Sequence, residues 1–409
     1  MIQFLAQNRR WLGAGLLLTF ASGFGQTWFI SLFAGDIKAE HDLTDGGWGA
    51  VYTAATLGSA ALVFWRGSLA DQVPFHRLAP AIAMLYACAA IAFAFSTSIW
   101  LLGLAVLGLR FCGQGMFSHL AMTAMGRWFT ARRGQAVAIA SLGYPLGEVV
   151  LPLLAVSLIA LFGWQLTWVL AAAIIAIPVA LALRFLLSET RTGQTAAVAG
   201  ETPGIEGRHW ARSDALRHWL LPALLPILLT PGFIGTVIFF HQVHVSDVKG
   251  WTMLSMTPGY TLYAGFAVAL SFASGWASDR YGPQYLLPFL LVPMGFGIAF
   301  LSPASEVWGW YLCLALIGIS QGISNALLGL LFPAIYGTKH LGAIRSMAIT
   351  ILVFSTAIGP GLTGLLIDYG IDFPAQGPAM GMWCLAMSAL GFLIMRKLSS
   401  ELSPRSSVA

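Results

Sequence analysis

Apolar residues run in blocks of about 20 from Trp11 onward, separated by short polar stretches. A helix of that length crosses the hydrocarbon core of a bilayer. Twelve spans are expected, at about 11–34, 47–66, 78–96, 99–125, 134–161, 164–187, 218–243, 254–277, 285–303, 306–333, 343–367 and 376–396. The longest stretch between spans, 188–217, holds Gly, Thr, Ala and several charges without apolar periodicity. It reads as a flexible linker joining two six-helix halves, 1–187 and 218–409. The expected architecture is therefore an all-α polytopic membrane protein, with twelve transmembrane helices in two six-helix bundles.

Charge gives this picture an orientation. An even number of spans puts both termini on one side. Of the 21 lysines and arginines, only Lys38 and Lys249 fall in the loops opposite the termini, and only Arg110 lies deep within a span. The remainder lie on the terminal side, which the positive-inside bias makes cytoplasmic. The expected location is a cytoplasmic (inner) membrane. The net charge of +5 then faces anionic lipid, and its scatter over short loops argues against nucleic acid as a partner. Only 9% of residues are charged, against about 25% in soluble domains. Cys88, Cys112, Cys313 and Cys384 all lie in apolar runs without metal-ligand spacing, and read as packing residues. No cofactor is implied, and a monomer is expected.

Histidines aside, Arg110 and Glu148 are the ionisable side chains placed deep in the spans. A charge near the bilayer centre costs roughly 3 kcal/mol or more, so it is normally paired or functional. Both lie roughly 21–23 Å from the basic loop Gly126–Gly134, at about 1.5 Å per residue. The two spans are joined by a short loop, so the sequence permits an Arg110–Glu148 pair.

The halves repeat. Gly67-Ser-Leu-Ala-Asp71 follows the second span and Gly275-Trp-Ala-Ser-Asp279-Arg280-Tyr281-Gly282 the eighth. Gln114-Gly115 in the fourth span matches Gln321-Gly322 in the tenth. A parallel, pseudo-symmetric repeat is the arrangement of a rocker-type transporter. On these motifs the chain resembles the major facilitator superfamily over nearly its whole length. The stretch Gly67 to Arg77 looks like that family's signature loop, and Asp279 to Gly282 like its second copy. Asp71, Arg77, Asp279 and Arg280 are accordingly expected to serve gating. The first copy departs from the pattern at Gln72 and Pro74. Arg127-Trp128-Phe129, Arg132-Arg133-Gly134, Gly337 to Arg345 and Gly359-Pro360-Gly361 are similar to the monocarboxylate-transporter-like branch. The resemblance implies a central cavity lined by helices one, four, seven and ten.

The candidate site follows from the polar residues of those spans. Arg110 offers a planar fork for a carboxylate. Gln114, four residues on, shares roughly the same face. Gln26, Trp28, Tyr52, Gln321 and Asn325 complete the expected substrate contacts. Glu148 is the expected proton carrier and His119 a second candidate. Interhelical packing remains the alternative for each. His241 and His244, at i,i+3 spacing, offer too few ligands for a metal. No His-Glu-x-x-His motif and no nucleophile constellation points to an enzyme. No nucleotide-binding loop is present, so the expectation is a secondary transporter working by alternating access. It would move a small organic anion, a monocarboxylate in first place, as a proton-coupled symporter. The alternative is a proton-antiport exporter of amphipathic compounds.

Overall fold

The computed structural model of the chain describes residues 2–129, 132–189, 203–337 and 339–402. Among the described residues, ten helices are long and apolar enough to cross a membrane. They are α2 (Asp45–Arg66), α3 (Phe75–Ala94), α4 (Ile99–Trp128), α5 (Gly134–Phe162), α6 (Trp164–Leu186), α7 (Leu220–Phe240), α9 (Pro283–Phe300), α10 (Trp308–Tyr336), α11 (Leu341–Asp368) and α12 (Phe373–Leu402). The first span, α1, passes the same test only as a bent pair, Phe4–Gly25 and Thr27–His41, with a 44° turn between its parts. The twelfth is α8, Pro258–Tyr281, whose 24 residues suffice in length but carry enough Gly and Ser to fall short in apolarity. The first span, expected over 11–34, is thus broken within its length. Below, the arginine-rich end of each helix is called inner and the opposite end outer.

The chain divides into two compact units. The first contains residues 1–198 together with Phe239–His244 and Pro360–Tyr369; the second holds the rest. In the first unit, α2 begins with a side-chain cap, Thr44 accepting from Gly47 N. Its outer half lies against the Pro360–Tyr369 segment with backbone almost touching backbone. A Cβ on Gly49 would lie 2.5 Å from the Pro360 carbonyl, and one on Gly364 2.5 Å from the Asp45 carbonyl. Asp368 closes this seam, accepting from Thr44 Oγ1 at 2.8 Å and Gly46 N at 3.1 Å. An anion is well placed there, since the N–H groups of the first helical turn have no partner within the helix.

In the second unit α10 packs along α8 and α9, and α12 along α9. Three buried polar groups show how partners are found in an apolar solvent. Trp310 Nε1 donates to Met256 O at 3.1 Å, Ser320 Oγ accepts from Met294 N at 3.0 Å, and Trp383 Nε1 donates to Thr230 Oγ1 at 3.0 Å.

Part of the stretch expected as a flexible linker is folded. Residues 190–202 lie outside the described part, but the stretch after them folds. Trp210 is 1% exposed. Its ring packs edge-on to Tyr336 and donates Nε1–H to Ile205 O at 3.2 Å, while Arg208 covers its other face at 3.8 Å. Ile205 and Trp210 are two apolar anchors in an otherwise polar stretch, enough to dock it on the inner end of α10. Truncating a buried aromatic costs roughly 3–5 kcal/mol. Trp210→Ala is therefore expected to free this segment while the bundle stays folded. Trypsin should then cut after Arg208 and Arg217 much faster than in the parent; equal rates would show that Trp210 does not hold the segment.

Candidate functional site

The site is built where α1 breaks against α4. After Ala21 the chain tightens into a 3₁₀ turn, Ser22–Gly25, then extends at Gln26 (φ −81°, ψ 153°) before the helix resumes at Thr27. The break brings α1 against α4 at two glycines. A Cβ on Gly25 would sit 2.2 Å from the Leu109 carbonyl, and one on Gly113 would sit 2.9 Å from Gly25 Cα and 2.2 Å from the Tyr86 hydroxyl. No larger residue fits either position. Opposite the break, α4 widens into a π-helical turn over Arg110–Phe117. Such turns change which carbonyls are paired and are frequent at functional sites.

Arg110 starts that turn and is 2% exposed. Its Nη1 donates to Thr27 Oγ1 at 3.1 Å and, at the long limit of 3.4 Å, to Gly25 O, a carbonyl beside the α1 break. The guanidinium carbon lies 5.2 Å from the centre of the Tyr52 ring, in cation–π range. Tyr52 is fully buried and its hydroxyl donates to Thr27 Oγ1 at 2.8 Å. Arg110 Nε is buried with no hydrogen-bond partner. Among the described residues no carboxylate pairs with Arg110. The site is thus a desolvated cation held by one hydroxyl, one carbonyl and one ring, with donors unspent.

The Arg110–Glu148 pair that the sequence permits does not form. Glu148 is half-buried on α5. The adjacent Gly147 faces α1, where a Cβ would meet the Phe20 carbonyl at 3.3 Å. Glu148 has no ion pair or hydrogen bond among the described residues. Equal depth on adjacent helices did not give a common face.

His119 is placed away from Arg110, at the inner end of α2, where its Nε2 is 3.1 Å from Gly67 O. A carbonyl can only accept, so Nε2 carries the proton in this contact. Arg127 acts nearby, donating to Ala70 O at 3.0 Å, and the Trp128 ring meets Phe75 edge-on at 5.2 Å. These α4 residues brace the signature loop, a role that sequence reading did not assign to them. The side chain of Asp71 lies outside the described residues. Arg77, Asp279 and Arg280 are exposed, and Arg280 lies 5.9 Å from the Trp276 ring and 5.7 Å from Tyr281.

Gln26 and Gln114 are half-exposed and make no side-chain hydrogen bond among the described residues. Gln26 lies on the α1 break and Gln114 on the π turn, the two segments that meet around Arg110. Trp28 is 7% exposed, with its ring 3.1 Å from the place a Gly23 Cβ would occupy. It packs beneath the break rather than opening onto it. In the second unit, Gln321 Nε2 donates to Asn325 Oδ1 at 3.0 Å, so the two form one exposed amide pair on α10. Of the two histidines near the end of α7, His241 is buried with Nε2 2.7 Å from Thr363 Oγ1. His244 Nδ1 lies 3.7 Å from Asp45 Oδ2, whose other oxygen accepts from Lys38 at 2.8 Å.

Comparison with known proteins bears on the fold and the family. Residues 15–360 match the family profile described as Major Facilitator Superfamily. The fold resembles a bacterial homolog of the human lysosomal transporter Spinster, solved in an inward-facing and occupied conformation. The TM-score is 0.72 at 17% identity, over 96% of this chain and 98% of that one. Its inward-facing and unoccupied structure gives 0.71 at 17% identity, over 97% and 99%. A curated relative, the agnestins efflux protein AgnL12 of Paecilomyces divaricatus, is 27% identical over 161 residues. That match takes in 36% of this chain and about a third of the relative's length, 35%.

Proposed function

The chain belongs to the major facilitator superfamily, and from that premise we propose that it is a secondary transporter of a small organic anion, with Arg110 as the anion-binding residue. The observation that carries this reading is the buried guanidinium with no carboxylate partner among the described residues and an unspent Nε–H. A desolvated cation is costly to keep. Its cost is offset when a carboxylate supplies charge-assisted, bidentate bonds. Gln26 and Gln114 would orient that carboxylate, and the α10 amides Gln321 and Asn325 would serve the second half of the cycle. A monocarboxylate fits best, because one fork matches one carboxylate. Glu148, without a partner, is the group we assign to proton exchange. The gating assignments of Asp71, Arg77, Asp279 and Arg280 rest on the repeated signature loop. The arginine asymmetry supports cytoplasmic termini in an inner membrane.

The similarity to an efflux protein favours a second reading in direction only, export by proton exchange. The cationic site then argues for anionic cargo in that direction too.

The test is thermal stability of the purified protein against a panel of small monocarboxylates, dicarboxylates and cationic amphipaths. A ligand that binds only the folded state raises stability by about 2.7 kcal/mol at a hundred times its Kd. Monocarboxylates are expected to raise Tm by several degrees and cationic amphipaths to leave it unchanged. The opposite pattern would remove the anion reading.

A further inference from the structure

A continuous path of contacts runs from Arg110 to the outer end of α7, all within the first unit. Thr27 Oγ1 accepts from both Arg110 Nη1 and the Tyr52 hydroxyl. The Tyr52 ring lies under the Arg110 guanidinium and meets the Phe240 ring at 4.9 Å. Phe240 also stacks on Trp48, at 5.9 Å and 17°. Around Phe240 three hydrogen bonds tie the chain to α1, one to the α7 backbone and two from the Gln242 side chain just beyond it. Ser31 Oγ donates to Phe239 O at 2.7 Å, and Gln242 Nε2 donates to Trp28 O at 2.9 Å and Ser31 Oγ at 3.2 Å. Tyr52 and Gln242 are 0% exposed and Phe240 2%.

We propose that Tyr52 is a positioning residue that couples Arg110 to the outer end of α7, so that an anion seated on Arg110 loosens Phe239–His244 from α1 and α2. The reason is competition for the guanidinium. Without an anion, its partners are a neutral hydroxyl, a long carbonyl bond and a ring. A carboxylate is a stronger partner than any of these. A guanidinium turned toward it leaves Thr27 and withdraws the cation from the Tyr52 ring. That ring, no longer held by Arg110, stops fixing Phe240 against Trp48. By linkage, loosening the α7 end must in turn strengthen anion binding. The identity of the ligand rests on the anion reading above, but the path through Tyr52 is tested without any anion.

The test uses the full chain with Cys88→Ser, which removes the exposed native thiol, and Val243→Cys. Val243 is 9% exposed and abuts Gly35, so a thiol there is shielded while α7 is held. Its rate of reaction with a soluble maleimide reports release. Arg110→Gln and Tyr52→Leu are each expected to raise that rate roughly five- to tenfold, the scale of a lost buried cation–π contact. The double variant should react no faster than Tyr52→Leu alone, because both changes act through one contact. Tyr86→Phe, which alters the Arg110 neighbourhood without touching Phe240, should leave the rate at the parent level. A rate unchanged by Arg110→Gln, or additive effects in the double variant, would overturn the coupling and leave Tyr52 as packing only. Should Tyr52→Leu not fold, Thr27→Val in the same cycle with Arg110→Gln decides the question in the same way. Failure of the anion reading shows instead as no carboxylate raising Tm, with the labelling cycle unaffected.

Discussion

Arg110→Gln is expected to reduce carboxylate uptake into proteoliposomes by at least about thirtyfold, while the ligand-free protein melts no earlier than the parent. The two halves of this expectation come from one observation. A charge-assisted pair with a carboxylate, lost in a desolvated site, costs roughly 2–5 kcal/mol, which is some 30- to 4,000-fold in binding. The same arginine spends Nη1 on Thr27 Oγ1 and a long bond to Gly25 O, and lies over the Tyr52 ring. Its burial without a counter-ion is a cost that glutamine does not carry. A neutral amide can still reach an acceptor, so Tm holds or rises. Arg110→Lys keeps the charge and loses the fork; roughly a tenfold loss is expected, between parent and Gln. A structural arginine would give the reverse pattern, early melting in Arg110→Gln with uptake by the surviving fraction unchanged. Measuring uptake per folded molecule beside Tm separates the two.

How much of this was legible in the sequence depends on the kind of signal. The spans were legible because a 20-residue apolar block has one common solution in a membrane. Even α8 was placed within a few residues, 254–277 against Pro258–Tyr281, although its Gly and Ser content blurs the block. Arg110 was legible because an arginine within a span is conspicuous by its cost. Its partners were not. The break in α1 depends on where Gly25 meets Gly113, and a close approach between helices leaves no mark beyond two glycines. The π turn over Arg110–Phe117 is a change of hydrogen-bond register, which side-chain patterns do not encode. Arg110 and Glu148 were compared by depth alone, and depth fixes neither the rotation of a helix nor the face a side chain takes. His119 is the same lesson from the other side. Nine residues from Arg110, it lies roughly opposite on the helix, and the carbonyl it meets, Gly67 O, belongs to the loop motif rather than to the cavity. The fold of the linker's second part turned on Ile205 and Trp210, two apolar residues too few to form a periodic pattern.

The other large effect expected is on energy coupling. Glu148→Gln is expected to bind and exchange substrate but to lose accumulation driven by a proton gradient. Glu148 is the unpaired carboxyl on α5, and glutamine copies its protonated form without being able to titrate. With no Arg110–Glu148 pair to break, substrate cannot act on Glu148 by taking away its counter-ion. The influence must come through charge. An anion brought into the low-dielectric region near a carboxylate raises the cost of leaving both ionised, and a proton taken up with the anion removes that cost. Proton and anion then cross together. If they are coupled one to one, a gradient of one pH unit sustains up to about tenfold accumulation, since one unit is worth about 1.4 kcal/mol. In Glu148→Gln the ratio should fall to about one under the same gradient, while counterflow between substrate-loaded vesicles and labelled medium persists. Proteoliposome uptake with and without an inward proton gradient, beside counterflow, reads both. Parent-level accumulation in Glu148→Gln would remove Glu148 from the mechanism and pass the role to His241 or His244, whose contacts with Thr363 and Asp45 lie on the segment that Tyr52 is proposed to control. Loss of accumulation and counterflow together would instead mark Glu148 as structural, a residue that keeps α5 against α1 beside Gly147.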